Sequence, residues 1–365
     1  MADVAATHLR ARRPRPLSLF ETWPGWLFYS PVPLWWFYFA LRHGGLTLPA
    51  IANTAGPLSG FIGESKSAGL DLLGPLGRAH LAPFVSFVTG LPKSSDEEEA
   101  RIIAAMQSAD LLFPLVAKPD VGQNGAGVKI IRDGGSLIQW LSAYPPRTTV
   151  LLQKLIEDEG EAGVFYVRHP GESNGRIVSL TLKHLPFVRG DGVSTLRELI
   201  LEDRRAQHLA PVYFARHANR LDRVLPEGKR LRLVSVGNHC RGAIFKNGAA
   251  HITPRMESTF DAIAREIPGF YFGRFDVKFK TLGDLEQGRN FSILEINGAD
   301  SEMTHIWDAD ETLLGAYASL FRQYRSVFEI GAYNRAQGTK PISPASFVAA
   351  WNRRRKLLKK YRQEE

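Results

Sequence analysis

The chain has 365 residues, 44% of them apolar and 23% charged, enough for several packed layers and too many for a small stapled scaffold. A single cysteine, Cys240, excludes an intrachain disulfide. The formal charge of +9 first suggests a nucleic-acid partner, but it sits at the two ends: residues 16–352 carry 35 basic and 34 acidic side chains, so no nucleic acid is expected.

Residues 1–43 form a basic and aromatic segment. Arg10, Arg12, Arg13 and Arg15 precede a stretch, Phe20 to Phe39, that holds ten of the 38 aromatic residues. Trp23 to Leu41 lacks any charged side chain, but Pro24, Pro31 and Pro33 break the backbone ladder that a spanning helix needs. After Pro33 a helix of about ten residues is predicted, roughly half a bilayer core in length. Two readings fit: an anchor lying in an anionic membrane interface, or an aromatic segment packed on the body. A cleaved signal peptide fits less well with the nucleotide chemistry below.

Residues 44–109 read as a short N-terminal unit. Within it, Ser59 to Ser67 is a loop entering a helix, and Glu64, Ser65, Lys66 and Ser67 are candidate substrate residues because free amides at a helix start suit a carboxylate. A second helix is predicted from Ser94 to about Ala109, with acids in its first turn. From residue 112 the pattern turns strand-rich. Strands are predicted at Phe113 to Lys118, Val128 to Ile131, Val150 to Lys154, Val164 to Arg168 and Arg176 to His184. Others follow at Leu231 to Val236, Ala243 to Lys246, and around Asp276 and Glu295. Helices are expected at Leu137 to Tyr144, Ser194 to Gln207, Met256 to Ile267 and Thr312 to Phe328. The order is α+β with antiparallel sheets. Residues 331–365 read as a basic amphipathic tail, with Phe347, Val348, Trp351, Leu358 and Tyr361 on one side and Arg353, Arg354, Arg355, Lys356, Lys359, Lys360 and Arg362 on the others.

Two constellations carry chemistry. Lys118 ends a strand ahead of the glycine loop Gly122, Gly125 and Gly127, whose backbone can approach phosphate oxygens. The loop lacks the Gly-Lys-Ser/Thr of a Walker motif. Farther on, Arg274-Phe275-Asp276 and Glu295-Ile296-Asn297 lie on strands joined by a polar turn. A turn centred near residue 286 sets Asp276 opposite residue 296 and puts Asp276, Glu295 and Asn297 together, a hard-oxygen set suited to Mg²⁺.

In combination these features resemble the ATP-grasp superfamily, in particular the carboxylate–amine ligases similar to D-alanine–D-alanine ligase and glutathione synthetase, over residues 110–330. The resemblance implies two α+β subdomains clasping ATP, with a short atypical N-terminal domain in front. It implies that Lys118 and Lys154 contact nucleotide and that the backbone at Leu155 and Ile156 receives adenine. Gln153 stands where many relatives have glutamate, Glu161 takes the ribose position, and Asn238 falls in the segment approaching the terminal phosphate. Lys183, Arg241 and Arg274 take catalytic positions, and Asp276, Glu295 and Asn297 hold two Mg²⁺ ions. Beyond Asn297, Ser301 and Glu302 are candidate substrate residues, in a stretch that departs from the D-alanine ligase pattern. The implied activity is ADP-forming ligation of a carboxylate to an amine through an acyl phosphate, in the cytoplasm and at the inner face of a membrane, on small or lipid-linked substrates. The alternatives are an ATP-grasp kinase acting on a small molecule or lipid head group, and a non-catalytic nucleotide-binding membrane protein. Cys240 reads as a spectator, while His184, His239 and His305 are candidates for removing the amine proton.

Overall fold

The computed structural model describes residues 17–54, 57–60, 62, 65–90, 95–122, 125–234, 237, 239 and 242–360. Among the residues named above, Arg10, Arg12, Arg13, Arg15, Glu64, Ser94, Val236, Asn238, Cys240, Arg241, Tyr361 and Arg362 lie outside them. The helices are α1 Gly25–Phe28, α2 Val32–His43, α3 Lys66–Asp71, α4 Pro75–Ala79, α5 Ser95–Ser108, α6 Gly134–Ser142, α7 Leu196–Glu202, α8 Ala210–Arg216, α9 Pro254–Glu266, α10 Leu282–Glu286, α11 Leu313–Ala336 and α12 Pro344–Lys360. The strands are β1 Phe84–Val88, β2 Leu115–Pro119, β3 Lys129–Ile131, β4 Thr149–Lys154, β5 Gly160–Val167, β6 Arg176–His184, β7 Phe187–Arg189, β8 Arg230–Arg232, β9 Ile244–Asn247, β10 Phe272–Phe279 and β11 Phe291–Asn297.

Two antiparallel sheets carry the fold. The smaller has the order β1-β4-β2-β3 and packs against α5 and α6 through Phe87, Ile102, Met106, Leu137 and Trp140. Asp133 starts α6 with a capping box, accepting from Ser136 N at 2.8 Å. β1 and α5 thus share one core with β2–β4, although the sequence reading placed both in the preceding unit. The larger sheet runs β11-β10-β5-β6-β9 and packs apolar residues on both faces, with the polar side chains of the site interspersed along β10 and β11. One face, with Val164 and Phe275, meets α9 through Phe260 and Ile263. The other, with Phe165 and Phe272, meets Phe39 of α2 and Phe328 of α11. Strands β7 and β8 pair separately over α7 and α8.

The aromatic segment packs on the body with its inner side. Phe20 and Phe28 are fully buried against Ile306, Ala316 and Leu320. Trp35 meets Tyr317 and Phe321 edge-on, and Trp36 meets Phe328 in the same way. Fully burying each such side chain contributes roughly 1.5–3 kcal/mol. Helix α2 starts at Val32, ahead of Pro33 and not after it, since a proline in the first turn breaks no ladder bond. Among the described residues no helix is long and apolar enough to cross a membrane.

Three other elements differ from the sequence reading. The helix expected from Ser194 to Gln207 ends at Glu202, because Asp203 turns extended and its side chain accepts from the backbone N–H groups of Arg205 and Ala206. The polar turn between the two site strands contains α10. In α12 the inward positions are Phe347, Ala350, Arg354, Leu357 and Leu358, so Arg354 leaves the basic face while Val348 and Trp351 stay exposed.

Candidate active site

The site is set by the pairing of β10 with β11. Arg274 lies opposite Asn297 and Asp276 opposite Glu295, after which the register jumps to Val277 opposite Ile293. Asp276 was expected opposite residue 296, but Phe279 opposite Phe291 and Val277 opposite Ile293 centre the turn at residue 285, and the bulge at Leu294 then sets Asp276 opposite Glu295 instead of Leu294. The bulge turns Glu295 and Asn297 to the side of Asp276 and frees the Leu294 carbonyl. That carbonyl accepts from Lys118 Nζ at 3.2 Å and Gln153 Nε2 at 3.3 Å. Gln153 also accepts from Lys118 Nζ through Oε1 at 2.9 Å and donates to the Ala82 carbonyl at 3.2 Å. Lys118 and Gln153 come from β2 and β4, so this knot joins the small sheet to the large one.

Asp276 is the electrostatic centre. Its Oδ1 accepts from Arg274 Nε at 2.9 Å and lies 3.1 Å from Lys183 Nζ. Its Oδ2 accepts from Arg274 Nη2 and from Asn297 Nδ2, both at 3.2 Å. Burial opposes ionisation of this carboxyl, but Arg274 and Lys183 outweigh it and hold the group far below the ordinary aspartate range. Burial likewise works against the Lys183 ammonium, yet Asp276 and Glu161, the latter at 3.2 Å, push its pKa up. Lys118 has no such carboxylate in contact, and burial lowers it to about 8.

The early loop reaches this centre through Lys66. Its Nζ lies 3.4 Å from Glu295 Oε1 and 3.4 Å from the Gly122 carbonyl. The backbone N–H groups of Lys66 and Ser67 both donate to Asp120, to its carbonyl at 3.0 Å and its Oδ1 at 2.8 Å. Ser65 caps α3, accepting from Ala68 N at 3.1 Å. Thus Lys66 meets the metal-candidate carboxylate, whereas Ser65 and Ser67 shape the turn that brings it there.

Gly125 and Gly127 both take positive φ, at 68° and 72°. The Gly127 carbonyl accepts from Trp140 Nε1 and from Tyr144 Oη, each at 3.1 Å, which pins the loop to α6. A Cβ on Gly127 would come 2.1 Å from Tyr144 Oη. Gly127→Ala is therefore expected to strain the loop by about 1–3 kcal/mol and to weaken Mg·ATP binding roughly tenfold, read by titration calorimetry. Lys154 is exposed at the end of β4, with its N–H donating to the Pro83 carbonyl at 2.8 Å; Leu155 and Ile156 follow, half-buried. Glu161 lies within β5, opposite Lys183, and Gly237 passes so close that a Cβ there would meet Glu161 Oε1 at 2.2 Å.

Around Glu302 the structure gathers Tyr29, Trp307 and Glu21, which sequence reasoning had not singled out. Glu302 accepts from Tyr29 Oη at 2.7 Å and from Trp307 Nε1 at 2.8 Å, while its backbone carbonyl accepts from Arg274 Nη1 at 3.0 Å. Burial raises the pKa of its carboxyl against those two donors. Ser301 Oγ is turned away, donating to the Gly298 carbonyl at 2.6 Å. Glu21, also from the aromatic segment, pairs with Arg205 and with His239 Nε2, and His239 stacks on Trp307. Arg354 of α12 reaches Asp300 at 3.5 Å, and burial lifts the Asp300 carboxyl to about 6. No local pattern announces these contacts: 273 residues separate Tyr29 from Glu302. His305 is held between Ser179 Oγ and Ser319 Oγ, and burial lowers it to about 4, which suits a structural, neutral imidazole; burial also lowers His184.

Two antiparallel α+β lobes, knotted where Lys118 meets the Asp276 hairpin, are the arrangement the resemblance implies. The fold is mixed α+β, built on two antiparallel sheets. No family model matches the chain, and no curated protein matches it. Similar solved structures include a D-alanine–D-alanine ligase from Bacillus anthracis complexed with ATP, at 13% identity and a TM-score of 0.41 over 75% of this chain and 68% of that one. The VanG D-Ala:D-Ser ligase from Enterococcus faecalis aligns at 14% identity and a TM-score of 0.40, over 74% of this chain and 62% of its own. A bifunctional glutathione synthetase from Pasteurella multocida aligns at 14% and 0.36, over 70% of this chain and 36% of its own length.

Proposed function

We propose that the protein is a Mg·ATP-dependent ligase that joins a carboxylate to an amine through an acyl phosphate. The observation that carries this reading is the convergence of Asp276, Glu295 and Asn297 with four cations, Lys66, Lys118, Lys183 and Arg274, where the two lobes meet. The oxygen donors fit Mg²⁺, which favours carboxylate and amide oxygens and completes its shell with phosphate and water. Among the described residues no group of three or more His, Cys, Asp or Glu could hold a metal ion, so Asn297 and ligands from outside the chain would have to complete the set. When bound, Mg²⁺ would supply charge neutralisation on the phosphates, held by Asp276, Glu295 and Asn297.

The chain's own residues account for the rest. Lys118 and Lys183 present ammonium groups to the phosphates, and Asp276 keeps both Lys183 and Arg274 charged and oriented. A substrate carboxylate oxygen attacks the γ-phosphorus and ADP leaves; the amine nitrogen then attacks the acyl carbon, inorganic phosphate leaves and the nitrogen gives up a proton. Arg274 faces the negative charge that builds on the carboxylate. No protein nucleophile enters this sequence. The test supplies purified protein with Mg·ATP, a panel of carboxylic acids and hydroxylamine. ADP together with a hydroxamate is expected. ADP with the γ-phosphate retained on a stable product, and no hydroxamate, would instead make the protein a kinase.

A further inference from the structure

The outward side of α2 plays no part in that reaction. Leu34, Phe37, Tyr38 and Leu41 follow the spacing i, i+3, i+4, i+7 and form one face, yet they are 73, 59, 49 and 68% exposed. Arg42 continues the helix, exposed, while Arg325 of α11 is paired with Glu329 at 2.8 Å. In sequence, Arg10, Arg12, Arg13 and Arg15 lead into the segment. Aromatic side chains carry roughly 150–250 Å² each, so Phe37 and Tyr38, exposed to this degree and flanked by two leucines, present a patch on the order of 400 Å². A stable protein dimer needs roughly 800 Å² from each partner. A second copy would also set these cations against their own kind, whereas an anionic lipid surface meets them with opposite charge.

We propose that the Leu34–Phe37–Tyr38–Leu41 face docks α2 on an anionic bilayer surface, and that the acid or amine joined by the enzyme is carried by lipid. The second part rests on the ligase reading. Its ground is Tyr29, which holds Glu302 beside Arg274 and precedes Leu34 by five residues, at most about 18 Å of extended chain. The segment that touches the lipid therefore also walls the substrate end of the site.

Full-length protein is sedimented, without nucleotide, with vesicles of phosphatidylcholine and of phosphatidylcholine containing phosphatidylglycerol. Binding to the anionic vesicles is expected, weakening with salt, and the double variant Phe37→Asp/Leu41→Asp should lower it at least about tenfold. Both positions are exposed, so the variant should keep the wild-type melting temperature and near-ultraviolet dichroism. Leu112→Asp, an exposed apolar site on the small lobe, should change nothing. Equal vesicle binding by wild type and the double variant overturns the docking. So does a wild type that ignores vesicles but forms a dimer which the double variant breaks, since the face would then belong to a second copy. For the substrate, Mg·ATP is supplied with the lipid or the aqueous fraction of a cell extract. ADP release driven by the lipid fraction supports the proposal, and release driven by the aqueous fraction alone overturns its second part while leaving the ligase intact. Release with neither fraction, alongside intact vesicle binding, removes the ligase reading and the lipid substrate together and leaves the docking.

Discussion

Asp276→Asn is expected to abolish ADP release and to destabilise the protein by about 3–5 kcal/mol, the usual consequence of removing one partner from a buried ion cluster. Arg274, Lys183 and Asp276 have side chains only 16, 6 and 12% exposed, and the substitution leaves Lys183 with Glu161 alone in ion-pair contact and takes from Arg274 the carboxylate it pairs with. Denaturant unfolding and a coupled ADP assay check the two effects. The pH dependence gives a third. Because the Asp276 carboxyl is held below its ordinary value of 3.8, its stabilisation is fully present above that value and disappears only as the pH falls through the lowered one. Wild type and Asp276→Asn should therefore differ by a constant amount through neutral pH and converge under strong acid. A difference that faded between pH 6 and 8 would place the stabilising charge on another group.

That cluster was largely legible in the sequence, because carboxylates, an amide and an arginine inside two apolar strands have few explanations other than a site. The register was not. Counting back from a turn near residue 286 sets Asp276 opposite Ile296, whereas the actual centre at 285 would set it opposite Leu294 and the bulge there moves it on to Glu295. The carbonyl released by that bulge is taken by Lys118 and Gln153, which arrive from a different sheet. A feature stabilised by residues some 140–180 positions away leaves no local mark. The same holds at the substrate end. The wealth of aromatic residues between Phe20 and Phe39 was plain, but helical periodicity says nothing of which side of α2 meets α11 or that Tyr29 meets Glu302. Strand β1 was missed for another reason. Phe84 to Val88 follows a segment rich in glycine and proline, and its strand character comes from pairing with β4, as Val85 opposite Leu152, more than from its own five residues.

Lys118 gives the other large expected effect, and here the sign separates binding from folding. Burial, with Lys66 adding to it against Glu295, Asp276 and Asp120, brings the ammonium down to about 8 from an ordinary 10.5. Below pH 8 the group is charged and ready for phosphate, so Mg·ATP affinity should be flat there. Between about 8 and 10.5 the site holds neutral lysine, and nucleotide must return the proton on binding, so affinity should fall toward tenfold per pH unit. Over the same window the unfolded chain still binds that proton while the folded one does not, so this lysine alone makes the free protein more stable as pH rises. Titration calorimetry in buffers of different ionisation enthalpy should record proton uptake near one per nucleotide at pH 9 and little at pH 7. Lys118→Met removes the titrating group. It should weaken nucleotide binding by ten- to a hundredfold at pH 7 and flatten both the affinity profile and the proton uptake. A variant that kept the alkaline fall in affinity would show that Lys118 is not the titrating group.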